Sequence, residues 1–114
     1  MENLESITNK LSKNLPELKR RFLIERIGIF GSYTTGLNNE KSDIDILVEF
    51  EKTPDIFEFI RLKRNLSKLL NKKVDLVTKK AIKEKFRNRI LNEVKYIQRT
   101  RKIQSNISKK LLNT

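Results

Sequence analysis

The sequence predicts a small α/β (α+β) domain: a three-stranded mixed sheet with helices packed on one side, followed by a helical, basic C-terminus. Three observations lead there. Apolar, β-branched runs bounded by turn residues recur at Ile24–Phe30, after Ser42, and at Val74–Thr78, which is the pattern of short buried strands. The first two runs are joined by a short link, which favours an antiparallel pair. The second and third are separated by a long amphipathic stretch, which fits a helical crossover between parallel strands.

Taken in order, Leu4, Ile7, Leu11 and Leu15 recur at three- and four-residue steps, so residues 3–14 read as an amphipathic helix. Pro16 should end or restart it, because proline fits the first turn of a helix and not its interior. A short second turn from Glu17 to Phe22 then leads into the first strand. Residues 32–36 form a brief helix and Asn38-Asn39 a turn. The second strand spans Asp43 to Phe50. Thr53 is the expected N-cap of the long helix, with Pro54 in its first position and Asp55 at its positive end. Ile56, Phe59, Ile60, Leu62, Leu66, Leu69 and Leu70 form its apolar stripe, read as core. After the third strand, Lys79 to Arg99 reads as one or two helices with Ile82, Phe86, Ile90, Leu91, Val94 and Ile97 on one face. The folded domain should cover residues 1–100, with residues 101–114 a basic extension that orders only on a partner.

Composition excludes several chemistries. At 114 residues there is room for one modest core. With no cysteine there is no disulfide or thiolate metal site, so a reducing cytoplasm is the expected location. With no histidine the usual general base, zinc ligand and Ser-His arrangement are all missing, and acid–base work must fall to carboxylates, Lys or Tyr. No apolar run reaches membrane-spanning length, and Met1-Glu2-Asn3-Leu4-Glu5 does not resemble a secretory signal. The net charge of +12 is concentrated late: residues 79–114 hold 12 Lys/Arg and 2 Asp/Glu, a net of +10, against +2 for residues 1–78. Such a segment suits an acidic protein face, or a weak nucleic-acid contact.

The chemistry is carried between Gly31 and Asp45. Residues two apart on a strand share a face, so Asp43 and Asp45 point one way while Ile44, Ile46 and Val48 point the other. Adjacent carboxylates repel unless a cation lies between them, and a hard divalent ion with oxygen ligands, Mg²⁺ above all, meets that need. Gly31 lets the backbone approach a ligand, and Ser32 can open a short helix whose N–H groups attract phosphate. Apolar residues at 44 and 46 exclude a calcium loop. Leu37-Asn38, where Lys-Ser/Thr is needed, excludes a Walker site. If the third strand lies beside the second, Asp75 joins the pair on the same face. An aspartate between Val74 and Leu76 is otherwise costly to bury.

Gly31-Ser32, ten residues, then Asp43-Ile44-Asp45 resembles the signature of the DNA polymerase beta-like nucleotidyltransferases. The short form, with Ser42 before Asp43 and an acidic strand end at Glu49, looks like the minimal (MNT-type) nucleotidyltransferases over residues 4–98. The resemblance implies Mg²⁺ and ATP, with Asp43, Asp45 and Asp75 as catalytic metal ligands and Gly31, Ser32 and Ser42 holding the nucleotide. It also implies a partner. Stand-alone members are often antitoxins that move AMP from ATP to a tyrosine of a HEPN-type ribonuclease toxin. Two alternatives stay open at the level of sequence: a transferase acting on a small molecule, and a catalytically silent antitoxin that neutralises by binding.

Overall fold

The computed structural model describes residues 3–98. The expected 101–114 extension and its docking or nucleic-acid role lie outside them. The chain opens with α1 (Leu4–Phe22), capped by the Asn3 side chain, which accepts a hydrogen bond from the Ser6 N–H at 2.8 Å. The expected break at Pro16 does not occur. Its ring lies on the exposed side, and Ile7, Leu11, Leu15, Leu18 and Phe22 form one buried stripe running past it. A proline inside a helix costs about 3 kcal/mol, whereas each of those side chains gains about 1.5–3 kcal/mol on burial. Packing therefore carries the helix through.

Strand β1 (Ile24–Phe30) has the predicted bounds. A four-residue helix, α2 (Ser32–Thr35), follows, and Gly36 closes it in the left-handed region at φ 79°. Strand β2 begins at Ile44 rather than Asp43 and ends at Phe50. The next helix, α3 (Ile56–Leu70), starts later than expected. Asp55, not Thr53, is the N-cap, and its carboxylate accepts the Glu58 N–H at 2.8 Å. An ionised cap both takes an orphan N–H and suits the positive helix end. The α3 stripe is also narrower than the sequence suggested. Leu62, Leu66 and Leu70 are buried and Phe59 and Leu69 partly so, while Ile56 and Ile60 are 63% and 40% exposed. Strand β3 (Val74–Thr78) again has the predicted bounds.

The largest departure comes last. Residues 79–98 are not helical throughout. A 3₁₀ turn (Lys79–Ala81) leads to α4 (Glu84–Glu93), and the chain then extends into a fourth strand, β4 (Lys95–Tyr96). The sheet order is β3-β2-β1-β4, with β1/β2 and β1/β4 antiparallel and β2/β3 parallel. The α+β class holds, with four strands in place of three. Without β4, the outer edge of β1 would leave backbone N–H and C=O groups unpaired. Lys95 and Tyr96 pair with Ile29 and Gly28, and the Ile97 N–H donates to the Ile27 carbonyl at 2.8 Å. Gly28 permits this approach, since a Cβ there would lie 2.6 Å from Val94 Cγ2.

The sheet has apolar matter on both faces. Helices α1 and α3 pack against Ile27, Ile29, Ile44, Ile46, Val48, Val74 and Leu76, forming the main core on one side. Helix α4 covers the opposite face through Ile90, so the helices are not confined to one side as the sequence suggested. There Phe30 and Leu47 meet Ile82 and Ile90, with Val94 and Leu91 against them. The predicted single face of the final segment is thus divided: Ile97 joins the main core and Phe86 is 38% exposed. No helix among the described residues is long and apolar enough to cross a membrane.

Candidate active site

The strand register builds the site. In the β2/β3 ladder Asp45 is the direct partner of Asp75, and Ile44 of Val74. Neighbouring strands lie about 4.8 Å apart and direct partners share a face, so the two aspartates stand side by side. Asp43 lies one position before β2 and two before Asp45, at the same edge. In the β1/β2 ladder Asp45 is also the partner of Phe30, the residue just before Gly31. Antiparallel pairing thus returns the end of β1 to the start of β2, as the short link predicts.

Gly31 sits at φ 78°, a backbone region that side chains rarely adopt, and a Cβ placed there would lie 2.2 Å from Asp45 Oδ2. The Asp45 carboxylate therefore rests against bare backbone. The Gly31 carbonyl accepts from the N–H groups of Thr34 and Thr35 at 3.0 and 3.1 Å, which shapes the α2 turn around Ser32. The Thr34 hydroxyl adds a third bond at 2.8 Å.

Electrostatics at the trio are unbalanced. Asp45 is only partly exposed, and its carboxyl is pushed up to about 6, first by burial and then by the charges of Asp75 and Asp43. Asp43 has a loose ion pair, with Lys73 Nζ 3.8 Å from its Oδ2. Among the described residues no three acidic side chains already stand at metal-ligand spacing. The donor set nonetheless fits a hard cation. It is all oxygen, it is shared between two adjacent strands, and its central member is raised first by burial and then by the Asp75 and Asp43 charges, a repulsion that a cation would offset.

Ser42 has a local role. Its hydroxyl accepts the Asn39 N–H at 2.9 Å, and its own N–H donates to the Asn39 carbonyl at 3.1 Å. The next turn residue, Lys41, donates its N–H to Asn39 Oδ1 at 2.8 Å. Lys72 reaches the Glu40 carbonyl at 2.7 Å, tying this loop to the start of β3.

Glu49 lies on the same face of β2 as Asp45 but four residues further along, away from the trio. It accepts from Arg26 Nε at 2.8 Å and the Tyr96 hydroxyl at 2.9 Å, with Lys79 Nζ at 3.7 Å. Burial alone would raise its carboxyl; the Tyr96 and Arg26 hydrogen bonds outweigh that and hold it below the ordinary range. The Arg26 guanidinium also lies 4.0 Å from the Tyr96 ring centroid. This cluster pins β4 to β1 and β2, and sequence reasoning did not find it because β4 itself was not foreseen.

The nucleotidyltransferase domain family matches residues 11–97, most of the chain and all of this site. The chain belongs to that family. Protein adenylyltransferase MntA of Thermococcus cleftensis is 43% identical over 97 residues, which cover 85% of this chain and 98% of that protein. A solved structure of a proposed minimal nucleotidyltransferase superposes with a TM-score of 0.71 at 31% identity, covering 82% of this chain and 95% of the other. A toxin–antitoxin crystal structure with AMP-PNP contains a chain that is 26% identical. Its TM-score is 0.64, with 93% of this nucleotidyltransferase and 84% of that chain covered.

Proposed function

We propose that this nucleotidyltransferase is a Mg²⁺-dependent antitoxin that transfers AMP from ATP to a tyrosine hydroxyl of a HEPN-type ribonuclease toxin. The observation that carries the reading is the register that sets Asp75 beside Asp45, with the Gly31 backbone against the same carboxylate. The adenylyltransferase activity of the Thermococcus relative and the toxin–antitoxin assembly with AMP-PNP support the choice of nucleotide and partner class.

In this reading the acceptor oxygen attacks the α-phosphorus in line. The bond from that phosphorus to the bridging oxygen breaks, and pyrophosphate leaves. The acceptor's proton passes to Asp75, the most exposed of the three carboxylates. Gly31 and Ser32 hold the phosphates by backbone N–H and hydroxyl, while Ser42 keeps the 39–42 turn in place beside them. Magnesium held by Asp43, Asp45 and Asp75 would offset triphosphate charge and stabilise the charge that develops during displacement. In this reading the partner brings the acceptor hydroxyl to the sheet edge where Asp45 and Asp75 stand side by side.

The test is the intact mass of the partner after incubation with this protein, ATP and Mg²⁺. A gain of one or more AMP units is expected, and Asp43→Asn should remove it. Tight binding with no gain in mass would overturn AMP transfer in favour of neutralisation by occlusion.

A further inference from the structure

Lys73 stands just before β3, and its carbonyl accepts the Ile44 N–H at 3.0 Å, so it already belongs to the β2/β3 ladder. It is two residues from Asp75, and strand alternation puts both on the carboxylate face. Its Nζ lies 3.8 Å from Asp43 Oδ2, while its side chain is 75% exposed. Such a long, solvent-screened pair is weak and easily exchanged. The adjacent Lys72 is placed differently, since its ammonium is held at the Glu40 carbonyl.

We infer that Lys73 binds the triphosphate of the nucleotide, leaving Asp43 when the ligand enters; this rests on the nucleotidyl-transfer reading above. The physical need is charge. A nucleoside triphosphate and three carboxylates together carry more negative charge than two divalent ions offset, and the remainder calls for a fixed protein cation at the site. Lys73 is the cation that the ladder places there. Its flexible, strongly hydrated ammonium suits phosphate as a point-charge partner. Once a metal binds Asp43, the pair with Lys73 has no further role, so the ammonium can turn to phosphate over a short distance.

The experiment is calorimetric titration of the full chain with AMP-PNP and with AMP, each with Mg²⁺, for the wild type, Lys73→Ala, Lys73→Arg and Asp43→Asn. Lys73→Ala should weaken AMP-PNP binding about tenfold, as expected for loss of one charge-assisted contact. AMP affinity should stay unchanged, and Lys73→Arg should restore most of the loss. Unchanged or tighter AMP-PNP binding in Lys73→Ala, with Asp43→Asn still losing it, would overturn the role of Lys73 and leave the transferase reading intact. Failure of the wild type to bind AMP-PNP would overturn both. Lys73 is mostly exposed, and unchanged thermal unfolding of its variants would separate a binding defect from a folding one.

Discussion

Replacing Asp45 by Asn should stabilise the metal-free protein while abolishing nucleotidyl transfer. The folded state holds the Asp45 proton more tightly than the unfolded chain does, because burial and the charges of Asp75 and Asp43 raise its carboxyl from 3.8 to about 6. Between those values the folded form binds the extra proton, so this group makes stability fall as pH rises through the window, then level off above it. The full displacement corresponds to about 3 kcal/mol at neutral pH. Partial exposure screens the repulsion, and about 1–2 kcal/mol is the appropriate discounted figure. Asparagine keeps the shape and removes the charge. In EDTA at pH 7.5, Asp45→Asn should therefore melt about 4–10 °C above the wild type, and the difference should vanish near pH 4. With Mg²⁺ the wild type should gain stability and the variant little. A variant that melts at or below the wild type in EDTA at pH 7.5 would refute the claim that the three carboxylates repel one another at this edge.

Gly31→Ala should reduce transfer by at least two orders of magnitude and cost about 1–3 kcal/mol, measured by urea unfolding, since its Cβ would collide with Asp45 Oδ2 in a left-handed backbone. Tyr96→Phe should cost about 0.5–1.5 kcal/mol at pH 7 through loss of its bond to Glu49. Because the Glu49 carboxyl is held below its ordinary value, that penalty should shrink as pH falls below 4.5 in urea titrations. Leu66→Ala, at a fully buried position of α3, should cost about 2–5 kcal/mol in the same assay while leaving transfer per folded molecule near wild type.

Much of the site could be read from local pattern. Period-two alternation alone puts Asp43 and Asp45 on one face, and the lengths of the links between strands predict one antiparallel and one parallel pairing, both present. Elements bounded by strong local signals, such as β1 and β3, have the predicted limits. Local pattern misled where tertiary packing opposes it. Pro16 sits within a helix because a continuous buried stripe outweighs its cost. The helical spacing after Lys79 overran into β4 because the open edge of β1 attracts backbone partners. The Lys73 position was open to the same alternation argument as Asp75, two residues away, but a lone lysine carries no distinctive sequence signal.

The order of residues determined which side chains share a strand face and where the glycine turn falls, and the lack of histidine and cysteine left any acid–base work to carboxylates, Lys or Tyr. Those properties depend on neighbours a few positions apart. Only the folded chain decided that Asp75 aligns with Asp45, that Gly31 leaves no space beside that carboxylate, and that Glu49 is engaged by Arg26 and Tyr96. Ladder register and desolvation arise from contacts between segments distant in the chain, and no local spacing encodes them.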